Sequence, residues 1–489
     1  MITGKDDVRF GGFAGRHAIV IGASTTGLVA SAVAARHFDT VTTIERDSLP
    51  GDPVWRKGAP QSHHGHILLR GGQNVFNHYF PGLTADLLAK GSVEVDMAND
   101  ICWYHSGGWK KRFESGLTML CQTRGFLELN LRQRLSQVPN VSVLQNVKAT
   151  GYRAEGNRII GVELDDDTFL AADLVIDASG RNSETPKRLC ALGFGEPEVS
   201  ELHVDIGYST TLFTPPADGR DWKAMLIHSR PPATRTAALL PTEGGRWIVT
   251  LLGWQGDFAG GDIAGFLEWT KGLPVPDLYE ALSEATCVDD VHRWRFPANL
   301  RRHYDRLASA PDGLVVIGDA NTSLNPLYAQ GMSHGAIGAS ILDRCLTEQR
   351  AASGAGRIDG FAKRFHRAYG RFLDECWFTS TVEDYGAVSA GGGGRLVSRL
   401  ASWYLGKVTE MTWRDAEIAR EFIDVMHLQR APKTLSGRPS RSRRCCRVHQ
   451  QHTRSDRFVR KPATWSEGIH CLLVRIDSVM AVISSAIPA

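Results

Sequence analysis

Three histidines within four positions, His63, His64 and His66 of "PQSHHGHILLRGG" (60–72), are dense enough to do chemistry. A protein zinc site needs three or four ligands with partners of their own. In an extended segment only His64 and His66 share a face, and no Cys, Asp or Glu in the stretch completes a set. The segment is therefore read without a metal. The pair either hydrogen-bonds within the fold or touches a bound molecule.

A second group begins at "GASTTG", Gly22 to Gly27, which matches a dinucleotide-binding turn except that Ser24 stands at the middle glycine. The first glycine permits the tight turn, the second lets backbone approach a pyrophosphate, and the third packs helix on strand. The acid that would bond ribose hydroxyls follows as Glu45, 23 residues after Gly22, in "IERD". An acid there favours a free ribose over a 2′-phosphate. In "GLVVIGDANTSLNPLYAQGMSHGAIGAS" a strand ends at Gly318-Asp319 and a glycine-rich helix starts near 330. Asp319 could accept bonds from a ribityl hydroxyl, and the helix dipole would face a flavin's pyrimidine edge. This second motif favours FAD over NAD. The first turn, "GASTT", lacks the G-x-S-x-G of a nucleophile elbow.

These residues need a frame to hold them. "HAIVIG", the small-residue run after it and "TVTTIERD" predict strand, helix, strand, the opening of a doubly wound sheet. "DLVIDASG" (173–180) and "GLVVIGDA" (313–320) predict two more strands that stop at small-residue turns. Between them, "DIGYSTTLF", "WKAMLIHS", "TAALLP" and "RWIVTLLGW" read as short strands of an antiparallel sheet inserted over 195–300. Past 335 the pattern is helical: Phe361, Phe365, Tyr369 and Phe372 form one apolar stripe, Ile418, Phe422 and Val425 another. Both read as core. "AGGGGR" (390–395) reads as a connector, and "LDDDTFL" as a solvated hairpin turn.

The expected fold class is α/β, a Rossmann-type FAD-binding domain with an inserted antiparallel sheet and C-terminal helices. Its FAD-binding segments are 1–75, 101–194 and 301–350, its substrate side 76–100 and 195–300, and its helical region 351–430. Residues 431–489 form a basic tail; 431–462 hold ten Lys+Arg against one acid, without aromatic interleaving or helical period. It reads as solvated and disordered, with no nucleic-acid partner. Nine cysteines without framework spacing suit a reducing cytoplasm. The N-terminus lacks the apolar run of a signal peptide, and no stretch of about 18 apolar residues predicts a transmembrane segment.

Taken in order, "AIVIGASTTGLVAS" with "IERD", "PQSHHGHILLRGG", "TRGFLELNLRQRL", "DLVIDASGRNS", "RFPANLRRHYDRL" and "GDANTSLNPLYAQGMS" resemble class A FAD-dependent monooxygenases of the para-hydroxybenzoate hydroxylase fold. Within that group the chain looks most like bacterial polyether-polyketide epoxidases and squalene-epoxidase-like enzymes, over about 16–430. The resemblance implies that Gly22, Ser24, Gly27 and Glu45 hold the ADP half of FAD, with Arg124 at the pyrophosphate or ribityl region and Arg46 also among the cofactor-binding residues. It places Arg56, Lys57 and Gln61 in a loop beside the flavin and Asp319 on the ribityl chain. Pro326, Gln330, Gly331 and Met332 would line the ring. Asp177, Ser179 and Gly180 would end a supporting strand. The family pattern at the histidines is P-Q-G-R-H-x-H, so Ser62 and His63 depart from it.

The implied reaction is insertion of one atom of O₂, through a flavin hydroperoxide, into a small apolar alkene or arene, by epoxidation or hydroxylation. The cofactor carries the difficult chemistry; the protein adds orientation and a dry, apolar cavity. No residue is assigned as catalytic with certainty. Tyr328 and His66 are the substrate-side candidates, and Trp294 reads as packing. "DASGRNS" lacks the Asp-Gly that helps relatives use NAD(P)H, so electrons would come from NAD(P)H or from a separate flavin reductase. The rivals are an alkene reductase of the geranylgeranyl reductase kind, a flavin-dependent halogenase, although no W-x-W-x-I-P occurs, and a flavin-binding protein without turnover.

Overall fold

The computed structural model describes residues 15–217, 219–229, 233–353, 358–388 and 396–436. The "AGGGGR" connector and all of the basic tail beyond 436 lie outside the described residues. Gly15–Ile21, Phe38–Glu45 and the helix Thr25–Ala34 between them form the expected opening βαβ unit. They belong to a five-stranded parallel sheet in the order Leu314–Val316, Leu174–Asp177, Gly15–Ile21, Phe38–Glu45, Val141–Gln145. Its central strands are apolar on both faces because both faces are covered. Ala18 and Val20 point into a core shared with the helices Thr25–Ala34, Gly331–Ser353 and Phe361–Val388. Ile19 and Ile21 point into a second core with Tyr152, Ile159 and Val162, from a three-stranded sheet of 149–171 whose hairpin turn exposes Asp165, Asp166 and Asp167. Phe361, Phe365 and Tyr369 of the predicted stripe are fully buried in the first of these cores.

The substrate-side sheet has nine strands and is antiparallel throughout except at one pair. Glu198–Thr214 lies between His292–His303 and Arg246–Trp254, and Arg235–Thr242 and Ala224–His228 follow outward. One face buries Phe213, Val249 and Leu251 under the helices Ile263–Thr270 and Asp277–Ser283. The other face presents Ile206, Tyr208, Leu252 and Phe296 toward Leu327 and Trp377. Ile101–His105, grouped from sequence with the FAD-binding segment, joins this sheet instead, pairing in parallel with Ala224–His228 from Ala224↔Ile101 to His228↔His105. Among the described residues no helix is long and apolar enough to cross a membrane.

Candidate flavin and substrate site

The first strand ends in a turn that only glycine satisfies at two points. Gly22 has φ +102°, and a Cβ there would lie 2.6 Å from the Ala178 carbonyl oxygen. A Cβ on Gly27 would lie 1.7 Å from the Gly22 carbonyl oxygen, so that residue sets the contact of helix and strand. Ser24 caps the helix, and its hydroxyl donates to Glu128 Oε1 at 2.6 Å while accepting from Arg124 at 2.7 Å. Arg124 opens the helix Arg124–Leu135 behind the Thr123 cap and holds Glu128 at 2.8 Å, one turn on.

A guanidinium at the N-terminus of the Thr25–Ala34 helix opposes the helix dipole, and an arriving anion relieves that conflict. Glu45 accepts from Ala23 N at 2.8 Å and Asp47 N at 3.1 Å. Arg56, placed by resemblance beside the flavin ring, is buried and lies 3.2 Å from Glu45, 2.9 Å from Asp47 and 3.4 Å from Glu128. Burial works to raise the Glu128 pKa, but Arg124, Arg56 and the Ser24 bond outweigh it and hold the carboxyl at about 2. Arg46 is exposed, as is Lys57, and Gln61 is half-buried.

The three histidines diverge. His63 stacks on His292 with ring centroids 3.9 Å apart. His64 Nδ1 meets Thr210 Oγ1 at 2.7 Å, and His66 Nδ1 meets the His64 carbonyl at 2.7 Å. Burial lowers His64 to about 3 and, with the Arg124 charge, His66 to about 4, so both rings are neutral at physiological pH. Of the two readings left open by sequence, hydrogen bonding within the fold describes His64. Among the described residues no group of three His, Cys, Asp or Glu is arranged to hold a metal. Trp294 packs between His64, Tyr208 and Phe296.

Beside the Gly22 turn, Asp177 accepts from Ser179 N, Ser183 Oγ and Thr185 Oγ1, closing the strand end next to Gly180. Asp319 sits in a short turn whose Gly318 N–H donates to Tyr369 Oη at 3.2 Å. The Asp319 side chain is 38% exposed, and no described group donates a hydrogen bond to it. The helix Gly331–Ser353 starts beside it: a Cβ on Gly331 would have Asp319 Oδ1, at 3.8 Å, as its sole neighbour within 4 Å. The first N–H groups of a helix lack partners within it. A partly exposed carboxylate beside helix-end N–H groups suits a polyol chain and a carbonyl edge. Together with the Arg124 anion site and Glu45, these residues fit FAD. Gln330 is fully buried and commits its amide to Thr379 and Ser380, anchoring the loop to the Phe361–Val388 helix. Pro326 is exposed and Met332 buried in the helix-side core.

On the far side of the same loop lies a cavity of about 370 Å³. Leu327 and Tyr328 of the loop, His228 and Trp254 of the large sheet, and Glu383 and Asp384 of the helix face it. The cavity is thus not uniformly apolar, as expected from sequence: one wall is acidic. Asp384 accepts from Asn299 at 2.7 Å, Asn325 at 2.9 Å and Tyr328 at 2.8 Å, which ties the Asn-Pro turn to sheet and helix at once. Burial pushes this carboxyl up to about 6 against those three donors. Glu128, Asp384, Asn325 as a hub, and His334 beside Asp319 were not singled out from the sequence. Glu128, four residues after Arg124 on one helix face, carried the one readable signal.

The fold is that of the FAD-dependent monooxygenases. The chain is similar to the flavin-dependent brominase Bmp2 (TM-score 0.63, 13% identity, 84% of this chain and 93% of that one). It is also similar to 2-methyl-3-hydroxypyridine-5-carboxylic acid oxygenase (TM-score 0.57, 19% identity, 80% and 96%). Pseudomonas aeruginosa PqsL, solved with 2-aminobenzoylacetate, aligns with TM-score 0.58 and 16% identity over 77% and 99%. By sequence it is 30% identical over 383 residues to Protein Rv3254 of Mycobacterium tuberculosis, 75% of this chain and 80% of that protein, and it belongs to the same family. No family model matches the chain.

Proposed function

We propose that the protein is an FAD-dependent monooxygenase that transfers one atom of O₂ to a small alkene or arene. The observation that carries this reading is that one loop, 318–331, presents Asp319 and the Gly331 helix end on one side and Leu327 and Tyr328 to the cavity on the other. Flavin and substrate would meet across a single turn.

When bound, FAD supplies the electrons and the oxygen activation. Arg124 and the N-terminus of the Thr25–Ala34 helix would neutralise the pyrophosphate, Glu45 would take the ribose, and Asp319 the ribityl chain. The N–H groups of Gly331 and Met332 would bond the ring's carbonyl edge. Leu327, Trp254 and Leu405 give the cavity an apolar side that excludes water and holds the reacting carbon skeleton. His228, Glu383 and Asp384 give it a polar side that would orient a substrate through a hydrogen-bonding group. The substrate is therefore amphipathic rather than purely apolar. Tyr328 would stand nearest both, its hydroxyl fixed by Asp384.

The test is a single turnover with the protein loaded with FAD, reduced without oxygen, then mixed with ¹⁸O₂ and panels of alkenes and phenols bearing a polar group. A product heavier by one labelled oxygen is the expected result. A saturated, unlabelled product would overturn the reading in favour of an alkene reductase. Bromide added in parallel reports on the halogenase reading, since a brominated product would replace the oxygenated one. Protein that retains no FAD would remove the proposal altogether.

A further inference from the structure

His334 lies in the first turn of the Gly331–Ser353 helix and has no exposed surface. Its Nε2 is a buried polar atom without a hydrogen-bond partner, 3.4 Å from Asp319 Oδ1. Its Nδ1 lies 3.3 Å from Tyr369 Oη. That oxygen already accepts the Gly318 N–H at 3.2 Å. If the phenol donates to Nδ1 rather than to the His334 carbonyl oxygen, 3.4 Å away, the imidazole proton sits on Nε2, the nitrogen near the Asp319 carboxylate. The other tautomer would set a nitrogen lone pair against an anion, which is unfavourable. No described group donates a hydrogen bond to Asp319, whose side chain is more than one-third exposed and free to swing into solvent.

We propose that His334 is a positioning residue: its Nε2–H, buried, unpartnered and 3.4 Å from Asp319 Oδ1, is the donor onto which that carboxylate turns when it meets a flavin's ribityl hydroxyl, acting on cofactor retention through Asp319 without touching the flavin. The proposal rests on the FAD reading above. It also accounts for a histidine that packing alone does not require, since an apolar side chain would fill the same space without an unpaired nitrogen. Tyr369 is the second link. From the Phe361–Val388 helix it joins the strand-end turn to the first turn of the flavin-side helix.

The experiment is an equilibrium titration of apoprotein with FAD, read by flavin fluorescence, alongside apoprotein melting temperatures. His334→Leu is expected to weaken FAD binding about tenfold, while His334→Gln, which keeps a donor of similar reach, stays within about threefold of the parent. With Asp319→Asn already in place, His334→Leu should add less than about a twofold loss, because the coupled partner is gone. Should His334→Leu not fold, His334→Asn serves: its amide ends near the Nδ1 position, falls short of Asp319, and should show the same tenfold loss. Affinity for FAD unchanged in His334→Leu or His334→Asn, or a loss of equal size with and without Asp319→Asn, overturns the proposal. A parent protein that fails to bind FAD would instead overturn the reading beneath it.

Discussion

Arg124 is the residue where structure and proposed chemistry converge most closely. It holds Glu128 and Ser24, and of the three Arg124 and Glu128 are buried while Ser24 is half-buried. Replacing Arg124 with Met leaves Glu128 with the Ser24 hydroxyl and the longer Arg56 contact, and we expect a loss of about 2–3 kcal/mol in apoprotein stability, smaller than for a wholly unpaired buried charge. FAD binding should weaken about tenfold or more, because a charge-assisted contact to phosphate goes with it. Urea denaturation and FAD titration of Arg124→Met check the two parts separately. Asp384 carries a comparable load on the substrate side. Tyr328→Phe removes one of its three bonds and should cost about 1 kcal/mol. Asp384→Ala leaves Asn299, Asn325 and Tyr328 without their acceptor and should cost about 3 kcal/mol or more in thermal denaturation.

Among the elements, the opening strand, turn and helix do the most positioning. A methyl group on Gly27 has nowhere to go, so Gly27→Ala must push the helix off the strand. An overpacking cost of about 1–3 kcal/mol is expected, together with loss of FAD retention; circular dichroism melts and flavin content after purification measure both. The same elements explain what could be read in advance. Gly22, Gly27 and Asp319 were legible because a tight turn and a strand end restrict residue type. The parallel strands were legible because burial on both faces makes them continuous apolar runs. Glu128, His334 and Asp384 were not, since a polar residue on a helix looks alike in sequence whether its face meets solvent or another buried charge. Residues 101–105 were grouped with an FAD-binding segment, and their pairing with Ala224–His228 was not legible, because five residues that specify extension carry no record of a partner more than 100 residues away.

At the scale of the molecule, a set of buried neutral histidines makes stability depend on pH. Burial takes His64, His366 and His427 to about 3, well below the value near 6.5 they have when unfolded. Unfolding therefore takes up protons below about pH 6.5, so their contribution is complete above that pH and is lost as pH falls toward about 3. Each removes up to about 1.4 kcal/mol per pH unit in that window. Melting temperatures measured between pH 7.5 and 5 should fall on the acid side, and His366→Gln should flatten the slope by about one group's share.

The parallel pairing of Ile101–His105 with Ala224–His228 also dictates an order of events during synthesis. A nascent chain that has emerged only through its first two hundred residues exposes that early segment with its hydrogen-bonding edge unmatched. Closure waits until the later strand leaves the ribosome, which makes this union slow and long-range. The flavin-side layer can condense around its own strands only in part before then, and a chain halted short of residue 224 carries an open edge that invites association with other chains.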